Sequence, residues 1–116
     1  MKTGVVYCNG VAINVDVALS RNQRRIGMQG RSYLGIDHGI FFIFPNSSSL
    51  SFWMKNTSIP LSIAFIDNVG AILNIEDMIP NSLDPIESIG RAKYALETNQ
   101  GWFIDNGIVP GDKITF

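Results

Sequence analysis

Val11-Ala12-Ile13-Asn14-Val15-Asp16-Val17-Ala18 sets Val11, Ile13, Val15 and Val17 at every second position, with Asn14 and Asp16 between them. A period of two belongs to a β-strand with one buried face, because successive side chains of a strand leave on opposite sides. Just before it stands Asn9-Gly10, the dipeptide favoured in two-residue type I′ hairpin turns, whose central positions both need positive φ. Gly4 to Cys8 is therefore the expected partner strand.

Ser20, followed three residues later by Gln23, reads as a capping box, so a short helix is expected over Ser20 to Arg31, with Ile26 and Met28 available for burial and Gly30 ending it. Gly27 inside that stretch costs about 1 kcal/mol relative to Ala and suggests close packing of the backbone. Ile40-Phe41-Phe42-Ile43-Phe44 is an unbroken apolar run, the pattern of a strand covered on both faces, and it is expected to stop at Pro45. Asn46 to Ser49 reads as a polar loop and Leu50 to Thr57 as a strand. Ser58-Ile59-Pro60 then turns the chain into a returning strand, Leu61 to Ile66. Asp67-Asn68-Val69-Gly70 has the residues of a type I turn leading to a strand at Ala71 to Ile75. After a loop from Pro80 to Pro85, Arg91 to Glu97 alternates again. Asn99 is expected to cap a short helix through Trp102 and Phe103, ended by Gly107, before a last strand from Lys113 to Phe116. About eight short strands with one or two short helices predict a mainly-β fold, a jelly-roll-like β-sandwich or partly closed barrel.

The 116 residues fit a single domain, residues 1–116, and 46% hydrophobic against 16% charged residues demands a packed core. Nine basic and ten acidic residues give a formal charge of −1, so no global field favours nucleic acid or an anionic membrane surface. The one basic cluster, Arg21, Arg24, Arg25 and Arg31, reads as a solvated helix face, with an anion or acidic-partner site as the alternative. A lone cysteine, Cys8, excludes an intrachain disulfide and reads as a packing residue rather than a reactive thiol. No signal-peptide pattern and no run of about 18 apolar residues stands out, so a soluble chain without a transmembrane span is expected.

A metal centre needs several ligating side chains, and the single His38 and single Cys8 lie in separate segments, so no metal is expected. Only His38 could serve a nucleophilic triad as base, and no nucleophile elbow accompanies it. Gly10, Gly27, Gly30, Gly35 and Gly39 form neither a dinucleotide fingerprint nor a Walker loop, so no nucleotide cofactor is implied.

The block Phe52-Trp53-Met54-Lys55-Asn56-Thr57-Ser58-Ile59-Pro60-Leu61-Ser62-Ile63-Ala64-Phe65-Ile66-Asp67 resembles the signature of the family known as domain of unknown function 192. Arg24, Gly27 and Arg31 match that family's early helical motif, Gly39 to Phe44 its first buried strand, and Ala92-Lys93-Tyr94-Ala95-Leu96-Glu97 with Gly101-Trp102 its late one. The resemblance spans positions 13 to 116 and implies a compact β-sandwich of jelly-roll type, without a settled function. Ser62 stands where the family commonly has Asp, and Gln29 where it commonly has Met.

Lys55 lies between Trp53 and the Thr57–Pro60 turn. If that turn is a four-residue hairpin loop, Lys55 faces Ser62 across the strands, and the family pattern reads as a cross-strand ion pair lost in this chain. An ammonium left without that carboxylate turns to Asp67, Glu76 or Glu97, or contacts a ligand anion. The leading expectation is a non-enzymatic binding or accessory domain for a small anionic, sugar-like or peptide ligand, sited near Trp53, Lys55, Asn56 and Thr57, with Asp67 and Glu97 as further candidates. The alternatives are a small acid-base enzyme pairing Lys55 with Asp67 or Glu97, and a structural or assembly protein whose apolar patch meets a partner.

Overall fold

A computed structural model describes all residues, 1–116. Strands β1 (Lys2–Cys8) and β2 (Val11–Ala18) form the expected hairpin, Cys8 opposite Val11, and both turn residues take positive φ, 46° at Asn9 and 82° at Gly10. Helix α1 (Arg21–Ile26) follows, opened by the expected capping box: the Gln23 N–H donates to Ser20 Oγ at 3.1 Å and the Ser20 N–H donates to Gln23 Oε1 at 3.1 Å. It is shorter than the expected Ser20–Arg31 helix. Gly27 ends it at φ +49°, and the Gly30 N–H is drawn to the Asn56 carbonyl at 3.0 Å instead of continuing the helix.

Strand β3 (His38–Phe52) pairs in parallel with β2, so α1 lies in the crossover between them. The expected break at Pro45 does not occur. Pairing of β3 with β6 (Ile86–Asn99) runs to Ile43↔Tyr94 and resumes at Ser48↔Ala92, so Pro45, which has no N–H to give, sits in a bulge where none is asked of it. The strand ends at Phe52, and Trp53 to Pro60 is irregular. Strand β4 (Leu61–Ile66) is buried at every residue and lies between β6 and β5 (Ile72–Met78). Helix α2 (Trp102–Asp105) and the two-residue strand β7 (Ile114–Thr115) complete the chain. Gly101 takes the N-cap position expected for Asn99, whose side chain instead donates to the Leu34 carbonyl at 2.9 Å.

The seven strands make one sheet in the order β5-β4-β6-β3-β2-β1-β7. Its two edges curl toward each other: Ala71 bridges Lys113, the Ile72 N–H donates to the Asp112 carbonyl at 3.0 Å and the Ile114 N–H to the Gly70 carbonyl at 2.8 Å. This is the partly closed barrel of the sequence expectation. Strand alternation gives the sheet two cores. On the side where the edges meet, Cys8, Ile13, Val15, Phe41, Ile66, Leu96 and Ile114 pack with Trp102 and Phe103. On the other, Ile40, Phe42, Ile63, Phe65 and Ala95 pack beneath Met28, Met54 and Ile59 from the irregular segments. The candidate site lies on this second side.

Candidate functional site: an arginine-rimmed cavity over Glu97

Glu97 pairs with Ile40 on β3 and with Ile63 on β4, and alternation turns its side chain to the face that carries Ala95 and Phe42. A carboxylate here is flanked by aliphatic side chains on both neighbouring strands. It is 4% exposed, and no hydrogen bond or ion pair within the protein involves it. Its oxygens are not sealed in, because they open on a cavity of about 350 Å³ that Glu97 lines. Burial pushes its pKa up to about 8, so the group is a neutral carboxylic acid near neutral pH.

The cavity walls are apolar and aromatic: Met28, Phe42, Phe44, Phe52, Trp53 and Met54. Its rim is basic, with Arg21, Arg24 and Arg25 from α1, and Glu97 is the only acidic residue that lines it. The chain's one ion pair joins Asp16 and Arg31 at 2.9 Å, so these three guanidinium groups have no carboxylate partner. Arg24 is held by the Leu19 and Ile43 carbonyls and lies 5.0 Å from the centroid of the Phe44 ring, which fastens α1 to β3. No residue of α1 is buried, so this clamp does for the helix what an apolar face does elsewhere. Arg25 donates only to Asn22 within its own helix, at 2.8 Å, and Arg21 has no side-chain partner.

Two glycines let the walls close. A Cβ on Gly27 would meet Phe42 Cζ at 3.3 Å, and one on Gly39 would collide with the Glu97 carbonyl oxygen. The first seats the end of α1 on the cavity wall. The second lets β3 approach β6 at the position that presents Glu97.

The candidates named from sequence fall into three groups. Trp53, Thr57 and Glu97 line the cavity. Lys55 and Asn56 form the turn between Met54 and Thr57, closed by the Thr57 N–H to the Met54 carbonyl at 3.1 Å, with Asn56 at φ +54°. Asn is among the residues that tolerate this conformation best. Lys55 is exposed, its Nζ 5.3 Å from the Trp53 ring centroid, and it does not line the cavity. Asp67 belongs to a distant turn, where its carboxylate accepts from the N–H groups of Val69 at 3.0 Å and Ala71 at 2.9 Å. Lys55 therefore does not share a cleft with Asp67.

The expected register of Lys55 opposite Ser62 is corrected. Ser62 pairs with Asp77 on β5 and with Thr98 on β6, and Lys55 is not in a strand. The Ser62 hydroxyl donates to Asp77 Oδ1 at 3.2 Å and accepts from the Gly101 N–H at 3.1 Å, so it braces the start of α2. Arg21, Arg24 and Arg25, read from sequence as a solvated helix face with an anion or acidic-partner site as the alternative, line the cavity rim, whereas Arg31 does not; Phe44 was not among the sequence candidates. A further signal was present in Arg24 and Gly27, which match the family's helical motif.

The family's sequence profile matches residues 5–116, almost the entire chain, under the description "Uncharacterized ACR". The chain belongs to the domain of unknown function 192 family. Two solved structures share its fold. A protein of Sinorhizobium meliloti 1021, described as a candidate transcription regulator, is 32% identical with a TM-score of 0.93, over 98% of this chain and 93% of its own. A protein of unknown function from Novosphingobium aromaticivorans DSM 12444 is 28% identical with a TM-score of 0.94, over 98% of this chain and 85% of its own. No curated protein matches the chain. The domain of unknown function 192 motif blocks, far apart in sequence, meet at the cavity: Arg24 and Gly27, Phe42 and Phe44, Trp53 with Met54 and Thr57, and Glu97 all line it.

Proposed function

We propose that this domain of unknown function 192 protein is a non-enzymatic binding domain that takes a small ligand in the cavity over Glu97. The carrying observation is an unpartnered carboxylic acid, almost wholly buried, at the wall of an apolar cavity. Its oxygens bond to nothing within the protein and open on the cavity, so their hydrogen bond is there for a ligand that enters it. A volume of about 350 Å³ suits a small molecule better than a segment of a macromolecule. Trp53, 48% exposed beside the mouth, offers an aromatic face to a sugar-like, peptide or aromatic ligand. The near-neutral net charge gives no support to nucleic-acid binding.

The enzyme reading rests on Glu97 alone, since a proton donor near pH 8 has no second titratable group of opposite role beside it in the cavity lining. A thermal-shift screen over sugars, metabolites and short peptides tests the binding reading, because a native-state ligand raises apparent stability. Stabilising compounds are expected to lose their effect in Trp53→Ala, an exposed site whose truncation spares the core. Compounds that stabilise wild type and Trp53→Ala equally, with no NMR shift at cavity amides, would contradict it.

A further inference from the structure

We infer that the ligand is a small organic anion, its charged group held at the mouth by Arg21 and Arg25, its apolar body against Phe44 and Trp53, and a hydrogen-bond acceptor seated on Glu97. The inference rests on the binding reading and adds the chemical class and direction of the ligand. Arg21 and Arg25 are exposed at the rim without carboxylate partners, whereas Arg24 is occupied by two carbonyls and the Phe44 ring. Two guanidinium groups without a carboxylate partner, Arg25 keeping one bond to Asn22, suit one carboxylate or similar planar anion. They repel an amine, which excludes the cation that a buried carboxylate would otherwise select.

The depth of the site asks for the opposite polarity. Glu97 is flanked by Ile40 and Ile63, and the only charged groups lining its cavity are the three arginines of α1, with none from the Trp53–Thr57 segment. As a neutral acid it gains an O–H to donate, which the ionised form lacks, and an acceptor at the inner end of the ligand, a carbonyl or ether oxygen, takes that bond. When pH rises through about 8, Glu97 ionises, the donor is lost and a negative charge enters the cavity. Affinity for such an anion is therefore highest below that pH.

Four probes separate the terms: 4-acetylbenzoate, its neutral counterpart 4-methylacetophenone, the acceptor-free 4-isopropylbenzoate, and the cationic 4-acetylbenzylamine. Kd values come from NMR titration of the Gly27 amide and the Trp53 indole. Near pH 6.5, 4-acetylbenzoate is expected to bind about tenfold or more tighter than each of the others. The double variant Arg21→Ala/Arg25→Ala should erase the preference for charge and keep that for the carbonyl. Glu97→Ala should do the reverse, and Glu97→Gln, which still donates, should keep tight binding above pH 8 where wild type loses it. Equal or tighter binding of the neutral or cationic probe overturns the anionic class and leaves the cavity as a binding site. If 4-acetylbenzoate binds no better than 4-isopropylbenzoate, the seat on Glu97 is wrong. No shift with any probe overturns the binding reading and this inference together.

Discussion

Glu97 ties protonation to folding. Its native pKa, near 8, lies above the ordinary glutamate value of 4.5 that the unfolded chain has, so between those values the native state holds the extra proton. Stability is then full below about pH 4.5 and falls as pH rises through the native pKa, at up to about 1.4 kcal/mol per pH unit. Urea unfolding of Glu97→Gln, which cannot ionise, should show this slope removed between about pH 5 and pH 8, and the variant should exceed wild type in stability at the upper end. Equal slopes would place the wild-type carboxylate in solvent or beside a cation. Ser62 gives a second prediction. With Asp77 directly opposite and hydrogen-bonded to it, Ser62→Asp sets two carboxylates face to face and should cost about 1 kcal/mol or more at neutral pH, recovered in Ser62→Asp/Asp77→Asn. An unchanged urea midpoint at neutral pH would refute it. At this scale Glu97, Trp53 and Thr57 were legible because motif matching does not depend on register. Lys55 was misplaced because a turn and a strand share the pattern Trp-Met-Lys-Asn, and only the positive φ of Asn56 tells them apart.

The elements around the cavity depend on two glycines for different reasons. Gly27→Ala meets both a positive φ and Phe42, and should cost about 1–2 kcal/mol while crowding the cavity. Gly39→Ala drives a methyl into the backbone of β6 and should cost about 1–3 kcal/mol, with hydrogen exchange quickened at the Gly39–Thr98 pairing. Calorimetry with exchange measurements checks both, and wild-type behaviour of either variant would show that its wall is looser than described. Most elements could be read from the chain: the Asn9-Gly10 hairpin, the Ser20–Gln23 cap and the all-buried β4 each carry a local signal. What local signals miss is pairing between distant segments. Pro45 reads as a stop until β6 is beside it to show a bulge, and the chain beyond the Gly27 cap of α1 is led away from a helical path to where Gly30 bonds to Asn56.

The whole molecule is one curled sheet with a core on each face, and the two faces divide the work. The closed side is a packed core: Trp102 is 5% exposed with its indole N–H on Asp37 at 2.8 Å, and Trp102→Ala should cost about 3–5 kcal/mol. A surface-like loss in urea unfolding would contradict that burial. Cys8 lies in the same core with its thiol pushed up to about 12 by burial. The other side opens into the cavity, whose existence was not readable from the chain, because it needs α1, both halves of β3, the Trp53–Thr57 segment and Glu97 assembled in three dimensions. The measurement that reaches the central claim most directly is a pH titration of the Glu97 carboxyl carbon by NMR in the free protein. A midpoint near 8 is expected for a buried, unpartnered acid facing the cavity; a midpoint in the ordinary range near 4.5 would mean that water or a cation already satisfies Glu97 and that the cavity lacks the donor on which the binding account stands.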